Sequence, residues 1–342
     1  MSTQDLQTTA NAMVAAGKGI LAIDESFPTI KKRFDGISIE STEETRRAYR
    51  ELLITSPGSS EFISGMILFD ETIRQATTQG TPFPQILIKE GILPGIKVDK
   101  GAKALAGHPG EKVTEGLDGL RERLTEYRQL GARFAKWRAV ITIGEAIPSL
   151  SCLKANAHAL ARYAALCQEE ELVPIVEPEV LMDGDNSIER CDEVTEATLR
   201  CLFNALYDQR VELEGLVLKT NMVIAGKKCQ KQASVAQVAE QTTRCLRNAV
   251  PTAIAGVVFL SGGQSAELAT AHLNAMNAMS VTHPWPLSFS YGRALQALAL
   301  KIWSGNADNV DEAQKALFHR EKCNGLATLG RYTEALEKEL AA

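Results

Sequence analysis

Residues 173–179 read VPIVEPE and residues 215–221 read GLVLKTN. Each is a short run of Val, Ile, Leu and Pro that stops at charged or polar residues, the pattern of a strand covered on both faces. Six further runs of this kind stand at Gly19 to Asp24, Ser64 to Phe69, Gly95 to Val98, Phe134 to Ile141, Gly256 to Leu260 and Leu287 to Ser290. With Val173 to Glu177 and Gly215 to Lys219 they make eight. The strand-end residues Lys97, Lys136, Glu177, Lys219 and Ser261 follow one another at 39, 41, 42 and 42 positions. That repeat has room for one strand, one helix and two turns. Alternating apolar strands and helices pair in parallel with right-handed crossovers. The expected fold is therefore α/β: a single (β/α)8 TIM barrel domain over residues 1–342, with additional terminal helices around Ala10 to Ala15 and from Asn309 onward. An open doubly wound sheet is the alternative, but no G-x-G-x-x-G follows the first strand.

The intervening helices carry their own punctuation. Ser41 with Glu44 reads as a capping box opening Thr42 to Leu53. Leu117, Leu120, Leu124 and Tyr127 mark one apolar face closed by Gly131, and Ala155 to Glu171, Ser187 to Gln209, Ser234 to Asn248, Ser265 to Met279 and Gly292 to Trp303 repeat the theme.

Composition narrows the function classes. With 45% hydrophobic and 23% charged residues the chain is an ordinary globular one, not a disordered or collagen-like one. No apolar run reaches the ~18 residues of a membrane span, and the first twenty residues lack a secretory pattern, so the expectation is a cytoplasmic protein with no membrane partner. A net charge of −5 excludes nucleic-acid binding through a global positive field, so an anionic ligand must meet local cations. Seven cysteines without a C-x-x-C pair, and five histidines without close ligand spacing, favour reduced packing cysteines and no metal site. Asp183, Gly184 and Asp185 read as a turn before the Ser187 helix.

Barrel active sites gather at the carboxyl ends of the strands, so the residues closing each run are the informative ones. Asp24 closes GILAIDES, Lys97 sits in GIKVDK, Lys136 and Arg138 in FAKWR, Glu177 and Glu179 in VEPEV, and Lys219 in LKTN. A lysine inside a buried strand is expensive unless it is paired or functional. An amine attacks a carbonyl only when neutral, and moving its pKa from about 10.4 to about 7–8 takes roughly 3 to 4 kcal/mol. One ammonium about 5 Å away supplies roughly 3 kcal/mol at an effective dielectric near 20. Lys219, approached by Leu216, Val217 and Leu218, is the expected nucleophile, and Lys136 the accompanying cation. In the alternative, both lysines only neutralise Glu177, Glu179 or Asp24. Two later loops, Ser261-Gly262-Gly263 and Ser290-Tyr291-Gly292-Arg293, each lead into a helix. Glycine lets a phosphate approach backbone amides, and the seventh and eighth loops of barrels are common phosphate sites.

The set GKGILAIDES, GIKVDKG, GLDGL, FAKWR, VPIVEPEVL, LKTNM, FLSGGQS and FSYGRALQ, spread from Gly17 to Trp303 in one order, closely resembles the class I fructose-bisphosphate aldolases. The resemblance implies a metal-free, cofactor-free enzyme of glycolysis and gluconeogenesis that reversibly cleaves fructose 1,6-bisphosphate into dihydroxyacetone phosphate and glyceraldehyde 3-phosphate. Phosphorylated ketoses and trioses are then its partners, and homotetramers are common among animal-type relatives. By resemblance Lys219 is the Schiff-base lysine, Glu177 the general acid/base, Glu179 its supporting carboxylate, Lys136 the second lysine, and Asp24 the carboxylate that orients the amine. Ser261, Gly262, Ser290, Gly292 and Arg293 match one phosphate region. Ser26, Lys97 and Arg138 match the region of the sugar chain and distal phosphate, Thr29 stands where the family often has Ser, and Arg33 matches a basic residue at the rim. Thr220 replaces a Pro found in many relatives. Animal-type members end in a tail closing with Tyr, whereas this sequence closes EALEKELAA, which implies another proton donor to the enamine. Within the same chemistry, a preference for sedoheptulose 1,7-bisphosphate or fructose 1-phosphate is the alternative; outside it, a non-catalytic barrel scaffold.

Overall fold

The computed structural model describes residues 3–341, so Met1, Ser2 and Ala342 of the expected span lie outside the described residues. Eight strands form a closed barrel: β1 (Gly19–Ala22), β2 (Ile63–Leu68), β3 (Leu93–Lys97), β4 (Phe134–Ile141), β5 (Val173–Val180), β6 (Val217–Thr220), β7 (Gly256–Phe259) and β8 (Leu287–Tyr291). Neighbours in sequence are neighbours in the sheet, all pairs are parallel, and β8 closes on β1 through Ile20 opposite Ser290 and Leu21 opposite Tyr291. The expected (β/α)8 barrel is the fold found.

Period-two alternation sorts the strand residues into two cores. Leu21, Ala135, Trp137, Val176, Leu218, Val257 and Phe289 face outward and pack under the helices. Ile20, Ala22, Ile67, Phe134, Val173, Ile175, Val217 and Val258 face inward, and Leu6, Ala10 and Met13 of the N-terminal helix Thr3–Met13, with Val14 just after it, join them as a plug. Space in this inner core is divided between large and small residues. A Cβ on Gly95 would stand 2.2 Å from the Phe134 ring, one on Gly65 2.9 Å from it, and one on Gly256 2.8 Å from Val14. Glycine at these positions is what lets one phenyl ring and one helix fill the lower barrel.

Several edges differ from the sequence expectations. The capping box of helix Glu43–Ile54 is formed by Thr42 and Thr45, not by Ser41 and Glu44. The hydroxyl of Thr45 accepts from the Thr42 amide at 2.9 Å, so a short side chain at the third helical position serves where Glu was expected. Strand β5 runs on past Glu177 because Glu179 and Val180 pair with Val140 and Ile141, and the Val180 amide donates to Asn221. Gly215 belongs to a 3-10 turn, so β6 begins at Val217. The helix after β4 begins at Leu150 rather than Ala155, capped by Ser149. Between β3 and helix Leu120–Gln129 lies an antiparallel pair, Ala102–Ala104 with Lys112–Thr114, whose strands are three residues long with a lysine in each and so form no apolar run. The terminal additions are Thr3–Met13 and Val310–Thr328, the latter followed by a 3-10 stretch, Glu334–Ala341. The seven cysteines are all unpaired, and five are buried.

Candidate active site

Carrying the inward alternation two or four residues further up each strand replaces hydrocarbon with charge. Ala22 is succeeded by Asp24, Gly95 by Lys97, Phe134 by Lys136 and Arg138, Ile175 by Glu177 and Glu179, and Val217 by Lys219. These side chains line one cavity of about 580 Å³ at the carboxyl end of the barrel. Ser26, Thr29 and Arg33 from the first loop and helix line it too, with Ser261, Gly262, Ser290, Gly292 and Arg293 from the last two loops. Every site residue expected from the sequence therefore faces the same space.

Its floor is a buried charge cluster. Lys219 Nζ lies 3.0 Å from Glu177 Oε1, and Lys136 Nζ lies 3.2 Å from Glu177 Oε2 and 2.7 Å from Asp24 Oδ2. Lys136, Glu177 and Lys219 are each 3–5% exposed. One carboxylate thus takes a lysine on each oxygen. The Lys136 charge is shared between two carboxylates and does not face Lys219 unopposed, as the sequence argument had pictured it. Burial pushes the Glu177 pKa up, but Lys136, Lys219 and Arg138 together hold it below the usual carboxylate value. Asp24 is held far lower, burial being outweighed by Lys136, Lys219 and Lys97. Lys136 moves the other way: burial opposes its charge, and Asp24, Glu177 and Asp99 more than restore it. Glu179 differs from Glu177 although both are buried. Its pKa is raised, because burial outweighs the one strong partner, Arg138. Among the described residues, the buried Ser290 Oγ of the wall has no hydrogen-bond partner.

The walls are set by local structure. Ser26 precedes helix Phe27–Asp35 at its N-cap position without a side-chain capping bond, and its hydroxyl lies 3.2 Å from that of Thr29. Arg33 reaches from that helix to Glu25, which Arg50 also holds at 2.7 Å. Lys97 stands 3.7 Å from Asp99. After β7, Gly262 and Gly263 have φ of +56° and +82°, a left-handed pair that turns the chain sharply before Ser265 caps the next helix. Arg293, the first residue of the helix after β8, donates to the Gln264 carbonyl at 2.6 Å, which ties the two loops together.

Sequence reading missed part of the lining: Glu25, Lys32, Leu181, Met182, Asp183, Lys227, Leu260 and Gly263. Glu25 could have been found, since it directly follows Asp24; Lys227 lies in an irregular loop with no periodic signal. Asp183 lies in an irregular segment before the Ser187 helix, with a bend at Gly184 where a turn was expected, and it also faces the cavity rim. Eight cationic side chains line the space against five carboxylates, so a chain of net charge −5 carries a locally positive mouth. Away from it, His319 and Cys323 lie one helical turn apart beside Glu337, a grouping the search for close histidine spacing did not register. Arg320 and the Tyr332 hydroxyl occupy the Glu337 carboxylate there.

The family model described as "Fructose-bisphosphate aldolase class-I" matches residues 5–342. This chain belongs to that family. A "Probable fructose-bisphosphate aldolase class 1" of Xanthomonas campestris is 65% identical over 333 residues, 97% of this chain and 99% of the relative. "Fructose-bisphosphate aldolase 5, cytosolic" of Arabidopsis thaliana is 53% identical over 338 residues, 99% of this chain and 94% of the relative. Among solved structures, the Plasmodium falciparum aldolase in complex with TRAP and a small-molecule inhibitor is similar at a TM-score of 0.95 and 52% identity, covering 96% of this chain and 95% of that one. Closed barrel, inward lysines and aldolase family membership thus meet in one molecule. Among the described residues, no helix of this aldolase is long and apolar enough to cross a membrane.

Proposed function

We propose that this class-I aldolase cleaves fructose 1,6-bisphosphate reversibly through a Schiff base on Lys219, with Glu177 moving the protons. The observation that carries the reading is the single carboxylate shared by two buried lysines. Glu177 takes the ammonium proton of Lys219, the neutral amine adds to the C2 carbonyl, and the carbinolamine hydroxyl leaves as water with that proton returned by Glu177; the resulting iminium nitrogen is the electron sink. A base removes the C4 hydroxyl proton, the C3–C4 bond breaks, and its electron pair flows to nitrogen as an enamine. The aldehyde triose departs. Protonation of the enamine carbon and hydrolysis of the iminium release dihydroxyacetone phosphate.

Charge explains why one carboxylate serves as acid and then as base. While both lysines are ammonium ions, Glu177 holds its charge. When the Lys219 nitrogen becomes a neutral carbinolamine, one of those cations disappears and the Glu177 pKa rises at the step that needs an acid. Iminium formation restores the positive charge and returns Glu177 to its anionic form, ready to accept the C4 hydroxyl proton. Lys136 keeps Asp24 ionised beside it, and Arg138 with Glu179 backs the cluster. In this reading Ser26, Thr29, Arg33, Lys97 and Arg138 hold the sugar chain and distal phosphate, while Ser261, Gly262, Ser290, Gly292 and Arg293 hold the phosphate nearer Lys219. The two anions supply remote binding energy that keeps the reacting bond in register.

The iminium does the work a Lewis-acid metal would do, so the reading includes no metal and no cofactor. It also includes the whole chain acting as one barrel domain, a cytoplasmic location and assembly with like subunits, which light scattering would report as a multiple of the chain mass. The test is kcat/KM for fructose 1,6-bisphosphate, sedoheptulose 1,7-bisphosphate and fructose 1-phosphate, with and without EDTA. The expected result is EDTA-insensitive cleavage with fructose 1,6-bisphosphate first. Loss of activity with EDTA contradicts the mechanism, and a higher value for another ketose contradicts the substrate.

A further inference from the structure

The loop after β6 is docked on the loop after β5 by three backbone hydrogen bonds. The amides of Gly226, Lys227 and Lys228 donate to the carbonyls of Asn186, Met182 and Gly184 at 2.8, 2.8 and 2.9 Å. A Cβ on Gly226 would stand 2.3 Å from the Gly184 carbonyl oxygen, so glycine is what permits this approach. The two loops form one platform, and Lys227 is the side chain that it extends over the glycine loop after β7. A Cβ on Gly263 would meet Lys227 Nζ at 2.6 Å and its Cε at 2.8 Å. The ammonium therefore lies directly against Gly263, on the cavity wall.

The partner of that ammonium is exchangeable. Lys227 Nζ is 2.9 Å from Asp183 Oδ1, and the two side chains are 46% and 69% exposed. An ion pair so exposed is weak and easily exchanged. A phosphate dianion seated on the amides of the glycine loop carries more charge than one carboxylate, so it competes well for the same ammonium.

We propose that Lys227 is a specificity-determining residue for the phosphate nearer Lys219, released from Asp183 to the phosphate when the phosphorylated substrate binds. The proposal rests on the reading of Ser261, Gly262 and Arg293 as a phosphate subsite, and adds to it a cation supplied by a different loop. It makes Asp183 a competitor of the substrate, which sets the affinity rather than the chemistry.

The test measures KM and kcat for fructose 1,6-bisphosphate, and competitive inhibition by inorganic phosphate, in the full-length enzyme and in Lys227→Gln, Asp183→Asn and Arg293→Ala. Lys227→Gln should raise KM and the phosphate inhibition constant about five- to tenfold, the worth of one partly exposed charge-assisted contact, with kcat within about twofold. Asp183→Asn should move both constants in the opposite direction, by about two- to threefold. Both variants break the same ion pair, so a purely structural clip between the loops predicts that they behave alike, and that result overturns the proposal. So does a Lys227→Gln enzyme with unchanged constants while Arg293→Ala is impaired. If Arg293→Ala leaves the constants unchanged as well, the phosphate subsite itself is misassigned, which overturns the reading on which the proposal rests.

Discussion

The lower and upper halves of the barrel interior are made by the same eight strands with the same alternation, yet they bury opposite kinds of matter. Below, Ile20, Phe134, Val173 and Val217 meet the N-terminal helix in a hydrocarbon core, where each fully buried large side chain contributes about 1.5–3 kcal/mol. Above, two or four residues further on, Asp24, Lys136, Glu177 and Lys219 bury charge in mutual ion pairs. The difference teaches that stability and chemistry are stacked along one strand, separated by a single step of the pleat. Substitutions below should cost folding, and substitutions above should cost turnover.

The sharpest break comes from Lys219→Ala, which should lower kcat by about 10⁴-fold or more, as loss of a nucleophile does, while the thermal transition moves far less. Glu177→Gln should lower kcat by about 10²–10⁴-fold, with the enzyme still binding its substrate. Below the pleat step, Phe134→Ala should cost about 3–5 kcal/mol in urea unfolding, with kcat per folded molecule nearly unchanged. Gly95→Ala pushes a methyl into the same ring and should cost about 1–3 kcal/mol by overpacking. A large kcat effect from either lower substitution would break the division.

A buried carboxylate outside the barrel sharpens the charge half of the comparison. Glu321 in helix Val310–Thr328 is fully buried, accepts one hydrogen bond from Ser59 at 2.8 Å and, among the described residues, has no ion-pair partner. Burial pushes its pKa up to about 8, the reverse of Glu177. A raised pKa means that its contribution is complete below the ordinary value of 4.5 and is lost as pH climbs from there to about 8. Glu177, with its lowered pKa, contributes above 4.5 and loses that contribution as pH falls below. Urea midpoints of the parent and Glu321→Gln, compared across that range, should converge at low pH and separate at high pH, with the variant more stable. Parallel curves would contradict it.

Much of this was legible in the sequence, for a physical reason. Strands covered on both faces must be apolar, so the eight runs stood out, and any charge at the top of such a strand needs an explanation. That logic found Asp24, Lys136, Glu177 and Lys219 without knowledge of their contacts. It could not see pairing: that Glu177 would receive both lysines depends on barrel stagger, which sets Arg138 opposite Glu177 and Lys97 opposite Lys136. Nor could it see Lys227 or the short pair Ala102–Ala104 with Lys112–Thr114, because loops and exposed strands leave no apolar period. Ser41 and Thr42 were both reasonable caps, and backbone geometry decided between them.

The central claim is that Lys219, and not its neighbour Lys136, is the covalent residue. Borohydride reduction in the presence of dihydroxyacetone phosphate, followed by peptide mass mapping, tests it most directly. The account predicts one triose adduct, on the peptide containing Lys219. An adduct on Lys136, or none on an active enzyme, would contradict it.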